Sequence, residues 1–96
     1  MVRATLEQTA RAAKKLGVNI AVIPLETLHK GINVELEHGS RDARTNVTND
    51  SIMTSLKIAC AHLQEFPDYY DALDRMEARL KKKWTGKKKP AIFTQN

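Results

Sequence analysis

The sequence is short of the residues on which several protein classes depend. Cys60 is its single cysteine, so no disulfide forms within the chain and a reducing compartment is expected. No apolar run approaches the roughly 18 residues needed to span a bilayer, and the N-terminal stretch lacks the apolar core of a signal peptide. The four scattered glycines build no phosphate-binding loop or dinucleotide fingerprint. We therefore expect a non-secreted protein, cytoplasmic or carried in a particle made there. We also expect no membrane partner, no small-molecule substrate and no enzymatic activity.

Strand-like alternation of apolar and polar residues is absent too, and apolar residues recur at helical spacing in four segments. The first segment is residues 3–16, closed by Gly17, and the second is opened by Pro24 and closed by Gly39. The third is residues 50–65, with Thr48, Asn49 or Asp50 as its N-cap, and the fourth runs from Pro67 to Trp84. An ordered polar loop is expected between Gly39 and Asn49. The pattern predicts an all-α fold, a small bundle of three long helices plus one shorter helix in one domain, residues 1–84. A basic C-terminal arm, residues 85–96, follows.

Basic charge is concentrated near the C-terminus. The net charge is +5, but without six lysines the chain has ten basic and eleven acidic residues, a net of −1. The six are Lys81, Lys82, Lys83, Lys87, Lys88 and Lys89. With Trp84 and Phe93 they predict a region that docks on neighbouring protein subunits or binds nucleic acid without sequence preference. The simpler interpretation is a solvated helix end, in which Trp84 continues the apolar stripe of the last helix.

Two pairs of carboxylate and imidazole side chains are the other candidate site. Glu35 and His38 lie three residues apart on one predicted helix, and His62 and Glu65 do so on the next. Together they could ligate one transition-metal ion, zinc or iron. Alternatively, His38 pairs with Glu65 and His62 with Glu35 as hydrogen-bond partners at the edge of the core. Tyr70 is placed to cap a helix or to hydrogen-bond across the bundle, and Cys60 is expected to be an inert core thiol.

The same residues carry a resemblance. Val34-Glu35-Leu36-Glu37-His38, followed by Ala61-His62-Leu63-x-Glu65-x-Pro67-x-Tyr69-Tyr70, resembles an uncharacterised small helical family, a domain of unknown function of bacteriophage, other viral and bacterial genomes. The resemblance covers about residues 25–77 and implies no activity. It implies a phage or viral origin. Our first hypothesis is therefore a virion-associated structural or accessory component with protein subunits as partners, and the alternative is a metal-binding helical domain.

Overall fold

The chain folds into four α-helices in a computed structural model that describes residues 2–94. They are α1 (Leu6–Leu16), α2 (Leu25–Ser40), α3 (Ile52–Glu65) and α4 (Tyr69–Trp84), and a 3-10 turn (Ala43–Thr45) lies between α2 and α3. The helices contain 11, 16, 14 and 16 residues. Residues 2–94 include no strand, which confirms the all-α prediction. No helix among them is both long and apolar enough to cross a membrane.

The first helix begins later than the apolar spacing predicts, because a capping box fixes its start. Thr5 Oγ1 accepts a hydrogen bond from the Gln8 amide at 3.0 Å, and Gln8 Oε1 accepts one from the Thr5 amide at 2.9 Å. Gly17 ends the helix as predicted. Its φ of 88° lies in the left-handed region, where its amide caps carbonyl groups of the last turn.

The ends of the two central helices also differ from the prediction. Gly39 does not terminate α2, which continues to Ser40. Instead, Gly39 makes room for the following loop, since a Cβ there would lie 2.6 Å from Thr48 Oγ1. The N-cap of α3 is Ser51, whose hydroxyl accepts from the Thr54 amide, and not Thr48, Asn49 or Asp50. Asn49 and Asp50 both have positive φ because the chain turns there.

The core lies mainly between α2 and α3, and α1 packs across both. Its fully buried apolar side chains include Leu28, Ile32, Leu36, Leu56 and Ala59. The inner face of α1 consists of small side chains, of which Thr9 and Ala13 are buried. Their size lets α1 pack closely on α2 and α3. The segment before α1 is held by Asn33, whose side chain accepts from the Ala4 amide at 2.7 Å and donates to the Ala4 carbonyl at 3.1 Å.

Helix α4 lies beside α2, and little of it is buried. Tyr70 is its only buried residue, and the predicted stripe residues Met76 and Leu80 are 41% and 40% exposed. The radius of gyration is 15.0 Å, above the roughly 12.5 Å of a compact chain of this length. Lys30 of α2 pairs with Asp71 and Asp74, and these bonds raise the pKa of Lys30. They fasten the first turns of α4 to α2.

Candidate functional site

Glu35 and Tyr70 form the centre of a cluster where α2, α3 and α4 meet. The Tyr70 hydroxyl donates a hydrogen bond to Glu35 Oε2 at 2.8 Å, so the predicted bond across the bundle is confirmed. Burial of the phenol, together with the carboxylate beside it, raises the pKa of Tyr70 well above its usual value of 10.0. Tyr70 therefore remains a neutral donor over the physiological range. We call Glu35, His62, Tyr69 and Tyr70 the junction cluster.

A glycine makes the approach of Tyr70 possible. Gly31 is buried in α2, and a Cβ at this position would lie 2.7 Å from Tyr70 Cε2 and 3.0 Å from the Ala59 Cβ. Any larger side chain would push the tyrosine ring or α3 outward. Gly31 thereby sets how closely α4 can pack at the junction cluster.

His62 completes the cluster from α3. Its ring stacks on Tyr69 with a centroid distance of 4.1 Å and an interplanar angle of 2°, and it meets Tyr70 edge-on at 6.2 Å. His62 Nε2 lies 3.9 Å from Glu35 Oε2. This is too long for a hydrogen bond but close enough for charge attraction when the imidazole is protonated. The structure therefore brings His62 and Glu35 together, but the predicted hydrogen bond between them is not formed.

The other half of the predicted ligand set lies elsewhere. His38 Nε2 is 4.0 Å from Glu77 Oε2 of α4, and Glu65 is exposed at the end of α3. Within residues 2–94, no group of three or more His, Cys, Asp or Glu side chains is placed to hold a metal ion. The predicted set Glu35, His38, His62 and Glu65 is therefore not assembled. Because α4 lies beside α2, it takes the partner position at His38 that the sequence interpretation gave to Glu65.

Cys60 lies apart from the junction cluster, half-buried along a largely apolar groove between the end of α1 and α3. The groove has a volume of about 590 Å³, and Lys57 is the only charged side chain that lines it. Burial raises the pKa of the Cys60 thiol. A raised pKa lowers the thiolate fraction and with it the nucleophilicity of the sulfur.

The second candidate site is a pocket at the basic end of the molecule, with a volume of about 290 Å³. We call it the Trp84 pocket. It is lined by Arg41, Glu77, Leu80, Lys81, Trp84 and Lys89. Trp84 is half-buried, as its position on the apolar stripe predicts. The cations come from three segments, namely the end of α2, the last turns of α4 and the arm.

The arm turns back onto the body of the protein. The Arg44 guanidinium lies 4.0 Å above the centroid of the Phe93 ring, a cation–π contact. Asp42 holds that guanidinium through two hydrogen bonds of 3.0 and 2.7 Å, which lower the pKa of Asp42. Phe93, which the sequence analysis assigned to partner docking, thus contacts its own chain here. The arm residues 95 and 96, like Met1, lie outside the described residues.

Only some of the predicted cations reach the pocket. Lys81 and Lys89 line it, whereas four other lysines are exposed beside it: Lys82, Lys83, Lys87 and Lys88. Sequence reasoning missed Arg41, Arg44 and Glu77. Arg41 and Arg44 lie some 40 residues before the lysines, and no local pattern links them to a site at the other end of the chain.

Comparison with known proteins gives one family. The family described as "Protein of unknown function (DUF5661)" matches residues 9–79. The chain belongs to this family. No curated protein matches the chain, and no solved structure does. The DUF5661 match includes the whole junction cluster, whereas Trp84 and the basic arm lie beyond its end.

Proposed function

We propose that this DUF5661 protein is a small, non-enzymatic helical interaction protein that binds nucleic acid through the basic end of α4. In this proposal it is a structural or accessory component of a phage-type or viral particle. The sequence resemblance described above supports the particle, since it implies a phage or viral origin. The charge layout supports nucleic acid as the ligand. The six C-terminal lysines carry the excess positive charge, and the rest of the chain has a net charge of −1.

The observation that carries the proposal is the convergence of cations around an aromatic ring. Arg41, Lys81 and Lys89 approach Trp84 from three segments of the chain. Positive side chains attract backbone phosphates, and an indole offers a face on which a base can stack. Lysine contacts to phosphate carry no sequence information, so the proposed binding is indifferent to sequence.

An exposed apolar face on α4 favours a second candidate, docking on a neighbouring protein subunit. Met76 and Leu80 are both substantially exposed and lie one turn apart on the same helix. Such a face suits a helical partner surface. The metal-binding alternative has no comparable support, because the four side chains do not converge.

Fluorescence anisotropy with labelled duplex DNA tests the proposal. If all six lysines contact phosphates, the logarithm of affinity should fall with the logarithm of salt with a slope near −5, from roughly −0.9 per contact. Replacing Lys87, Lys88 and Lys89 with glutamine should reduce the slope by about half. The matched control replaces three exposed lysines of the body, Lys14, Lys15 and Lys57, and should leave the slope close to that of the unmodified protein.

Two results would contradict the proposal. One is the absence of binding at about 50 mM salt. The other is an equal loss of affinity in both triple variants, which would indicate a diffuse charge effect without a site. Co-sedimentation with subunits of the parent particle would then favour the docking candidate.

A further inference from the structure

We infer that the Trp84 pocket accepts one base of a single-stranded nucleic acid, with the flanking phosphates on Arg41, Lys81 and Lys89. We further infer that the Arg44–Phe93 contact positions the arm so that the pocket is complete. This inference rests on the proposed function and adds to it the strandedness of the ligand and the residue that organises the site.

The indole determines the strandedness. Trp84 is half-buried and lines the pocket together with Leu80, so part of the indole is open to a planar ring from solvent. In a duplex both faces of each base are covered by its neighbours, and stacking on Trp84 would require unpairing that base. A single strand has bases free to stack, and stacking is tolerant of base identity. The pocket should therefore favour single strands over duplexes.

The charges at the rim suit a phosphate backbone on both sides of that base. Arg41 is held by Glu37 of the same helix at 3.1 Å, whereas no ion pair of Lys81 or Lys89 occurs within residues 2–94. Glu77 is the one carboxylate that lines the pocket, and its charge repels a phosphate. Its carboxylate lies 4.0 Å from His38 Nε2 of α2.

The arm contributes Lys89, and its place depends on Phe93. Phe93 follows Lys89 by only four residues and is held against Arg44, which Asp42 fixes in turn. A free arm would present Lys89 as a mobile charge, whereas the held arm presents it beside Trp84. Phe93 is thus a positioning residue, and it acts without contacting the ligand.

Intrinsic fluorescence reads the site directly because Trp84 is the only tryptophan. Full-length protein is titrated with a thymidine oligonucleotide of about 12 nucleotides, within the usual site sizes, and with a duplex of the same length. We expect the single strand to quench the emission and to bind about tenfold more tightly than the duplex. Trp84→Leu removes the fluorophore, so its binding is followed by the anisotropy of the same two ligands carrying a label. Because this variant keeps the apolar stripe, it should lose the single-strand preference while retaining the helix content and the weak duplex affinity.

Substitutions at two neighbouring positions, Phe93 and Ile92, isolate the role of the arm, since all of them keep every charge. Phe93→Ala should weaken single-strand affinity severalfold, and Phe93→Tyr should restore it because the ring face is kept. Ile92→Ala is the matched control, since Ile92 is 82% exposed, and should behave like the unmodified protein. Glu77→Gln should tighten binding because it removes the opposing carboxylate.

The outcomes separate the inference from the proposed function. Equal affinity for both ligands, with no effect of Trp84→Leu or Phe93→Ala, would overturn the inference and leave nucleic-acid binding in place. A single-strand affinity that Phe93→Ala leaves unchanged would overturn the positioning role alone. Failure to bind either ligand at low salt would overturn both the inference and the proposed function.

Discussion

The Tyr70 hydroxyl donates a 2.8 Å hydrogen bond to Glu35, and this bond joins α4 to α2 across 35 residues of sequence. The Glu35 side chain is only 12% exposed, so its carboxylate has little water to replace that donor. Tyr70 is also the one buried side chain of α4. Tyr70 is therefore the one residue of α4 that reaches the core fully, beside the ion pairs of Lys30 with Asp71 and Asp74.

Removing the hydroxyl should destabilise the protein. We expect Tyr70→Phe to lower the free energy of unfolding by about 1–2 kcal/mol, because it leaves a poorly solvated carboxylate without its donor. Tyr69→Phe is the matched control, since the Tyr69 hydroxyl makes no hydrogen bond within residues 2–94 and its ring still stacks on His62. Urea unfolding followed by circular dichroism measures both. An equal effect of the two substitutions would contradict the importance of the Glu35 bond.

Stability should fall at alkaline pH. The pKa of Tyr70 is raised in the folded protein above its usual 10.0, so above pH 10 the unfolded chain loses a proton that the folded chain retains. The contribution is fully present below pH 10 and is lost as the pH rises further. The raised pKa of Lys30 also lowers stability at alkaline pH, and it does so equally in the unmodified protein and in Tyr70→Phe. Unfolding midpoints between about pH 8 and 11 should therefore drop less for Tyr70→Phe than for the unmodified protein.

Gly31→Ala should destabilise the protein although alanine is the better helix former. In an exposed helix this change would stabilise by about 1 kcal/mol. Here the added methyl group meets the Tyr70 ring at 2.7 Å, and the overpacking should cost about 1–3 kcal/mol. Thermal unfolding of Gly31→Ala alone and combined with Tyr70→Leu is the test. A Gly31→Ala protein as stable as the unmodified one would show that α4 can shift outward freely.

Asn33→Ala should release the segment before α1. Asn33 accepts from the buried Ala4 amide and donates to the Ala4 carbonyl, which His29 Nε2 also contacts at 2.9 Å. Its loss leaves the amide without a partner and should cost about 1–2 kcal/mol. Asn19→Ala is the control, because Asn19 bonds a backbone amide in an exposed turn and should change stability by less than about 0.5 kcal/mol. Limited proteolysis should show faster cleavage near residue 4 only in Asn33→Ala. Equal cleavage in both variants would contradict this role.

Much of the fold could be predicted from local pattern. Helical spacing of apolar residues, Pro24, Gly17 and the break at Pro67 gave four helices with ends within a few residues of those observed. The misses at helix starts came from caps, since Thr5 with Gln8 and Ser51 with Thr54 bond backbone groups that apolar spacing does not report. The candidate sites were predicted only in part. Glu35 does meet His62, and Tyr70 bonds across the bundle, but His38 meets Glu77.

Local sequence is enough to predict the helical segments, the charge layout and the residues able to form a junction. These follow from interactions between residues a few positions apart, which any chain with this order must make. Only the tertiary structure decided that Gly31 lets Tyr70 reach Glu35, and that Arg41 and Arg44 meet the basic arm. Such contacts depend on how whole helices rotate and slide when their apolar faces pack. That packing is a sum over the entire core, and no single stretch of sequence contains it.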